Sequence, residues 1–97
     1  MTTPHFLVHV SGDSVGVAVM EIEEPLQANG VVLEDDSDIQ VETREAIPLG
    51  HKIALVDIAE GQKVIEYGEF VAKAIKPIAR GEHVHVHNIR SIRWDHA

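Results

Sequence analysis

Three histidines at alternate positions, His83, His85 and His87, lie in the stretch Gly-Glu-His-Val-His-Val-His-Asn that runs from Gly81 to Asn88. Side chains on an extended strand alternate between faces, so the three imidazoles would share one side and Val84 and Val86 the other. A neutral imidazole offers one donor and one acceptor nitrogen and is the commonest side-chain ligand for first-row transition metals. Such a row can bind a metal or pass a proton, and the same alternation also describes a strand with one buried and one solvated face. Residues i and i+4 of a strand lie about 13 Å apart, so one ion reaches all three histidines only if the strand bends. Without a bend, at most two neighbours share an ion, and other ligands come from elsewhere.

A second chemical stretch reads Ala46-Ile47-Pro48-Leu49-Gly50-His51-Lys52. Pro48 fixes φ and Gly50 permits positive φ, which predicts a rigid turn that delivers His51 and Lys52 at the start of a strand over 53–57. An imidazole and an ammonium beside a fixed turn are placed to meet an anionic ligand; the competing reading is that His51 caps a strand edge and Lys52 faces solvent. The acidic run Glu34-Asp35-Asp36-Ser37-Asp38 offers oxygen ligands but lacks the spacing and glycine of a calcium loop, so a solvated turn is expected.

The elements that must carry these groups are short. Ninety-seven residues leave room for one small domain, and its 44% hydrophobic and 4% aromatic composition implies a core of Val, Ile, Leu and Ala. A cleft large enough for an active site in so small a chain usually needs a wall from a second subunit. The formal charge of -8 repels phosphate backbones and anionic lipid, which argues against nucleic-acid and membrane-surface roles. No cysteine is present, so disulfides and thiolate metal sites are excluded. The opening has no basic leader or long apolar run, and a cytoplasmic location is expected.

Strands are expected over 5–10, with Phe6 and Val8 on one face, and over 15–22, joined by a turn at Ser11-Gly12-Asp13. Asn29-Gly30 predicts a further turn before a short strand over 31–33. Ile39, Val41 and Thr43 alternate with polar residues in another strand. Residues 63–67 and 70–75 read as strands around Gly68, with a short helix over 70–75 as the competing reading. The pattern Ile-Ala-x-Gly-[Gln/Glu]-x-Val occurs twice, from Ile58 and from Ile78, which predicts two quasi-equivalent turns. Near the C-terminus, Trp94 is a candidate anchor for a partner, and a bare sheet edge would serve the same end, including contact between copies of the chain.

Taken in order, Ile47-Pro48-Leu49-Gly50-His51-Lys52-Ile53-Ala54-Leu55, Val64-Ile65-Glu66-Tyr67-Gly68 and Gly81-Glu82-His83-Val84-His85-Val86-His87-Asn88 resemble the SAF domain of the altronate and galactarate dehydratase family. The opening Pro4-His5-Phe6-Leu7-Val8-His9, with Gly12-Asp13-Ser14-Val15-Gly16-Val17, is most similar to the small subunit of the family's carbon–sulfur lyase branch. The resemblance implies a mainly β, SAF-type β-clip domain over 1–97 with a short tail at 91–97, and a large (beta) lyase subunit as partner. It also implies Fe²⁺, held largely by that partner. The reaction implied is loss of sulfite from a three-carbon sulfonated hydroxy acid to give pyruvate, or, in the sugar-acid relatives, loss of water. Carried onto this chain, the family motif marks His51, Lys52 and His85 for catalysis, His83, His85 and His87 for metal, and Lys52 and Asn88 for the small hydroxy-acid substrate. A non-catalytic sugar-acid or metal-binding module is the alternative from a different class.

Overall fold

Nine strands follow one another among the described residues: β1 (Phe6–Val8), β2 (Val15–Ala18), β3 (Gln27–Val32), β4 (Asp38–Glu42), β5 (Lys52–Ala54), β6 (Lys63–Glu66), β7 (Glu69–Ala74), β8 (His83–Val84) and β9 (Ile89–Ser91). The computed structural model describes residues 3–92, and no α-helix is present among them. Trp94 and most of the 91–97 tail lie outside the described residues, while Ser91 closes β9. Six strands form one sheet in the order β4-β3-β1-β2-β5-β8, and β6-β7-β9 form a second. The result is the mainly β, folded-over arrangement of a β-clip, and the segment expected over 70–75 is strand through Ala74 rather than helix.

The opening hairpin forms as the pattern predicts, with Phe6 opposite Ala18 and with Phe6 and Val8 fully buried. Two expectations are corrected. The strand from Val15 stops at Ala18, where the Ala18 carbonyl accepts from the Gly50 amide of the neighbouring turn; Ile22 rejoins by an isolated bridge to Ile47. Asn29 and Gly30 are not a turn but the middle of β3, which runs parallel to β1 with Gly30 beside Phe6. A Cβ on Gly30 would overlap the Phe6 ring, so this glycine serves close packing rather than a hairpin. The acidic run makes the β3–β4 turn instead. There Asp35 accepts from the Ser37 amide and hydroxyl, which holds its carboxyl below the usual carboxylate range.

The repeated motif is a repeated turn, and the structure adds a third copy. Gly50, Gly61 and Gly81 have φ of 84°, 84° and 91°, and each following amide (His51, Gln62, Glu82) donates back to a carbonyl at 3.0 Å, from Pro48, Ala59 and Ala79. Isoleucine opens every copy: Ile47 pairs with Ile22, and Ile58 with Ile78. The first copy carries Pro48 and Leu49 where the others carry alanine and a charged residue, which hid it from the stricter pattern.

Two apolar clusters form the core. One centres on Phe6, Val8, Ile22, Val41, Ile47 and Ile53; the other, with Val15, Ala54, Ile58, Val64, Ile78 and Val84, joins the sheets. Asp13 and Ser14 add a polar staple between them. The Ser14 hydroxyl accepts from the Ile65 amide, and the Asp13 carboxylate accepts from the amides of Val10, Tyr67 and Gly68.

Candidate functional site

The 47–51 turn and the histidine segment meet because β5 pairs with β8, with Lys52 opposite Val84 and Ile53 opposite His83. This register brings His51, at the entrance of β5, against the exit of β8. The expected continuous histidine strand is corrected here: only His83 and Val84 are extended, and residues 85–88 turn so that the chain crosses from the six-stranded sheet into β9. Asn88 makes the turn. It is 4% exposed, its amide nitrogen donates to the His83 carbonyl, and its oxygen accepts from the His85 amide. The opposite-face arrangement of the valines fails with it, since Val84 is fully buried and Val86 is 77% exposed at the turn.

The bend gathers imidazoles that a straight strand would separate. His51 Nδ1 lies 2.8 Å from His83 Nε2, and His51 stacks on His85 with ring centroids 4.1 Å apart. One nitrogen from each of His51, His83 and His85 falls within 4.8 Å of the others. His87 lies near His83, 5.1 Å between centroids, but stands outside that set of three. His83 is half-buried and its backbone amide donates to Glu45. Loss of water, then the neighbouring His51 and His87, holds the His83 pKa below 6.5, against a smaller opposing pull from Glu45. His85 is lowered in the same direction by desolvation, by His51 and His87, and by Lys52. Both shifts favour neutral rings, the form that binds metal or accepts a proton.

Lys52 follows His51 but its side chain points to a different wall. It borders a cavity of about 250 Å³ with Glu66, Ser91 and the apolar side chains of Val64, Val86 and Ile89. Its ammonium lies 3.7 Å from Glu66 Oε1, and His9 Nε2 lies 3.7 Å from Glu66 Oε2. Of the residues singled out in sequence, His51, His83 and His85 converge, Lys52 and His87 flank them, and Asn88 spends both ends of its amide on the backbone. Glu66 and His9 had no role assigned to them. The signal for Glu66 was present: it occupies the same inward phase of β6 as Val64, where a carboxylate is out of place.

Comparison with known proteins identifies the family of the chain. Residues 4–92 match the altronate/galactarate dehydratase SAF domain. The chain is 43% identical over 90 residues, 92% of its length and 96% of the relative's, to the (2R)-sulfolactate sulfo-lyase subunit alpha of Chromohalobacter salexigens. It is 41% identical over 64 residues to the corresponding subunit of Paracoccus pantotrophus, covering 66% of this chain and 96% of that one. It is also 40% identical over 79 residues to the altronate dehydratase of Escherichia coli, where the match spans 81% of this chain but 15% of the enzyme. With nine strands in two sheets and a family match across nearly all described residues, the chain belongs to the altronate/galactarate dehydratase SAF domain family.

Proposed function

We propose that this chain is the small, alpha-type subunit of a two-component lyase that removes sulfite from (2R)-3-sulfolactate to give pyruvate, completed by a large subunit. The observation that carries the reading is the convergence of His51, His83 and His85 next to Lys52, on a chain that matches 96% of a sulfo-lyase alpha subunit. Three imidazoles suit a first-row divalent ion and fit Fe²⁺, with further ligands coming from the large subunit. Bound there, iron would supply Lewis acidity toward the substrate's carboxylate and hydroxyl.

The chain's own residues account for the rest of the role. Lys52 holds the carboxylate or sulfonate as a point charge, and the apolar wall around it excludes water. The proton leaves C2, beside the carboxylate. Its C–H electron pair forms the C2–C3 double bond, and sulfite departs from C3 with the C–S pair. The resulting enol takes a proton at C3, gives up its hydroxyl proton and becomes pyruvate. His87, outside the set of three, is left to carry a proton.

The test is to co-express this chain with its large subunit and assay sulfite and pyruvate release from 3-sulfolactate anaerobically with Fe²⁺. Release that needs both chains supports the proposal. A second reading, a sugar-acid dehydratase subunit, is favoured by the altronate dehydratase match, and dehydration of altronate or galactarate in the same assay would select it. A stable complex with no turnover on any of these acids would favour a binding or assembly role.

A further inference from the structure

Glu66 is one of two carboxylates buried among the described residues, and the two are used differently. Asp13 spends its oxygens on backbone amides. Glu66 faces side-chain nitrogens, with the Lys52 ammonium on one oxygen and the His9 imidazole on the other, each at 3.7 Å. A carboxylate withdrawn from water is costly unless paired, so its place on the inward phase of β6 calls for those partners. The His9 ring is braced in turn. Tyr67, at φ 58°, lies flat against it with centroids 3.7 Å apart, and the Tyr67 and Gly68 amides are pinned by Asp13.

Seen from Lys52, this network fixes a side chain that would otherwise sample many rotamers. The lysine lines the cavity of about 250 Å³ together with Val86 of the histidine turn. We propose that Glu66 is a positioning residue: with His9 as its second brace, it holds the Lys52 ammonium in place to receive the anionic group of the substrate. The inference rests on the reading of Lys52 as the anion contact and adds the built part behind it. Residues from the opening, His9 and Asp13, thereby act on the site through β6.

Two measurements test it. In the complex with the large subunit, Glu66→Gln is expected to lower kcat/KM for 3-sulfolactate roughly tenfold, mostly through KM, the size of one misplaced charge-assisted contact. Glu66→Asp should recover part of the loss, and Glu66→Gln added to Lys52→Ala should cost nothing further, because Glu66 acts through Lys52. In the free chain, acylation of Lys52 followed by peptide mass spectrometry should be several-fold faster in Glu66→Gln than in wild type. Additive losses in the double variant, or unchanged Lys52 labelling, would overturn the role of Glu66 while leaving the anion contact standing. Full turnover in Lys52→Ala would remove the anion contact itself, and the proposal with it.

Discussion

His51 Nδ1 and His83 Nε2 lie 2.8 Å apart, a distance that one shared proton satisfies and two do not. With one ring donating and the other accepting, the contact is a hydrogen bond between two imidazoles. A second proton in the contact takes the accepting lone pair, breaks the bond and leaves a positive ring in a half-buried site. His51 therefore disfavours the charged form of His83, and loss of water disfavours it more.

This relationship sets a pH dependence in the metal-free chain. The folded state holds the His83 proton more weakly than an unfolded chain does, so on acidification the unfolded state takes up more protons. Stability is complete above 6.5 and declines as pH falls through the lowered folded value. The melting temperature should drop between about pH 7 and about pH 5, and His83→Asn should flatten that slope. An equal slope in the variant would assign the acid sensitivity to other groups.

The geometry separates His87 from the other three histidines as a ligand. Titrating the isolated chain with Co²⁺ as a spectroscopic stand-in should show binding weakened about tenfold or more by His51→Ala, His83→Ala or His85→Ala, and little changed by His87→Ala. In the complex, His87→Ala should lower turnover while metal is retained. Equal loss of Co²⁺ in all four variants would enlarge the metal site to include His87.

Asn88 carries the bend that makes the set possible. Asn88→Ala removes the partners of the His83 carbonyl and the His85 amide in a buried position, which costs about 1–3 kcal/mol by the usual penalty for unpaired buried groups. Chemical denaturation measures this cost. Co²⁺ affinity should fall in parallel even though Asn88 touches no ion. A variant with lowered stability and unchanged affinity would show that the turn holds its shape without the amide.

Much of this architecture was written in local pattern. Period-two alternation marked the strands, and the Pro48–Gly50 turn and the Ile-Ala-x-Gly motif placed His51 and the start of β8 correctly. What stayed hidden depends on contacts distant in sequence. Nothing in the 81–88 segment alone says that Asn88 turns back on His83, so alternation there read as a straight strand. His51 joins His83 and His85 only through the β5–β8 register. Glu66 was visible as a charge on the apolar phase of β6, but its partners come from the first and fifth strand regions.

Asn29-Gly30 is the clearest case, because the dipeptide that predicts a hairpin is used for clearance. Phe6, fully buried, lies across Gly30 in the parallel β1–β3 pair, and a Cβ at that position meets the ring rather than the tip of a flexible chain. Gly30→Ala should therefore destabilise the chain by about 1–3 kcal/mol through overpacking. Gly61→Ala is the control. Its φ of 84° carries a backbone penalty, but no atom lies within 4 Å of the added methyl. Its loss should be about 1–2 kcal/mol, the cost of the left-handed conformation alone. The two variants separate on a second change. Phe6→Leu should relieve part of the Gly30→Ala loss and none of the Gly61→Ala loss, as read by denaturant melts of the three single and two double variants. Equal effects of Phe6→Leu in both backgrounds would mean that the ring and Gly30 are not in contact in solution.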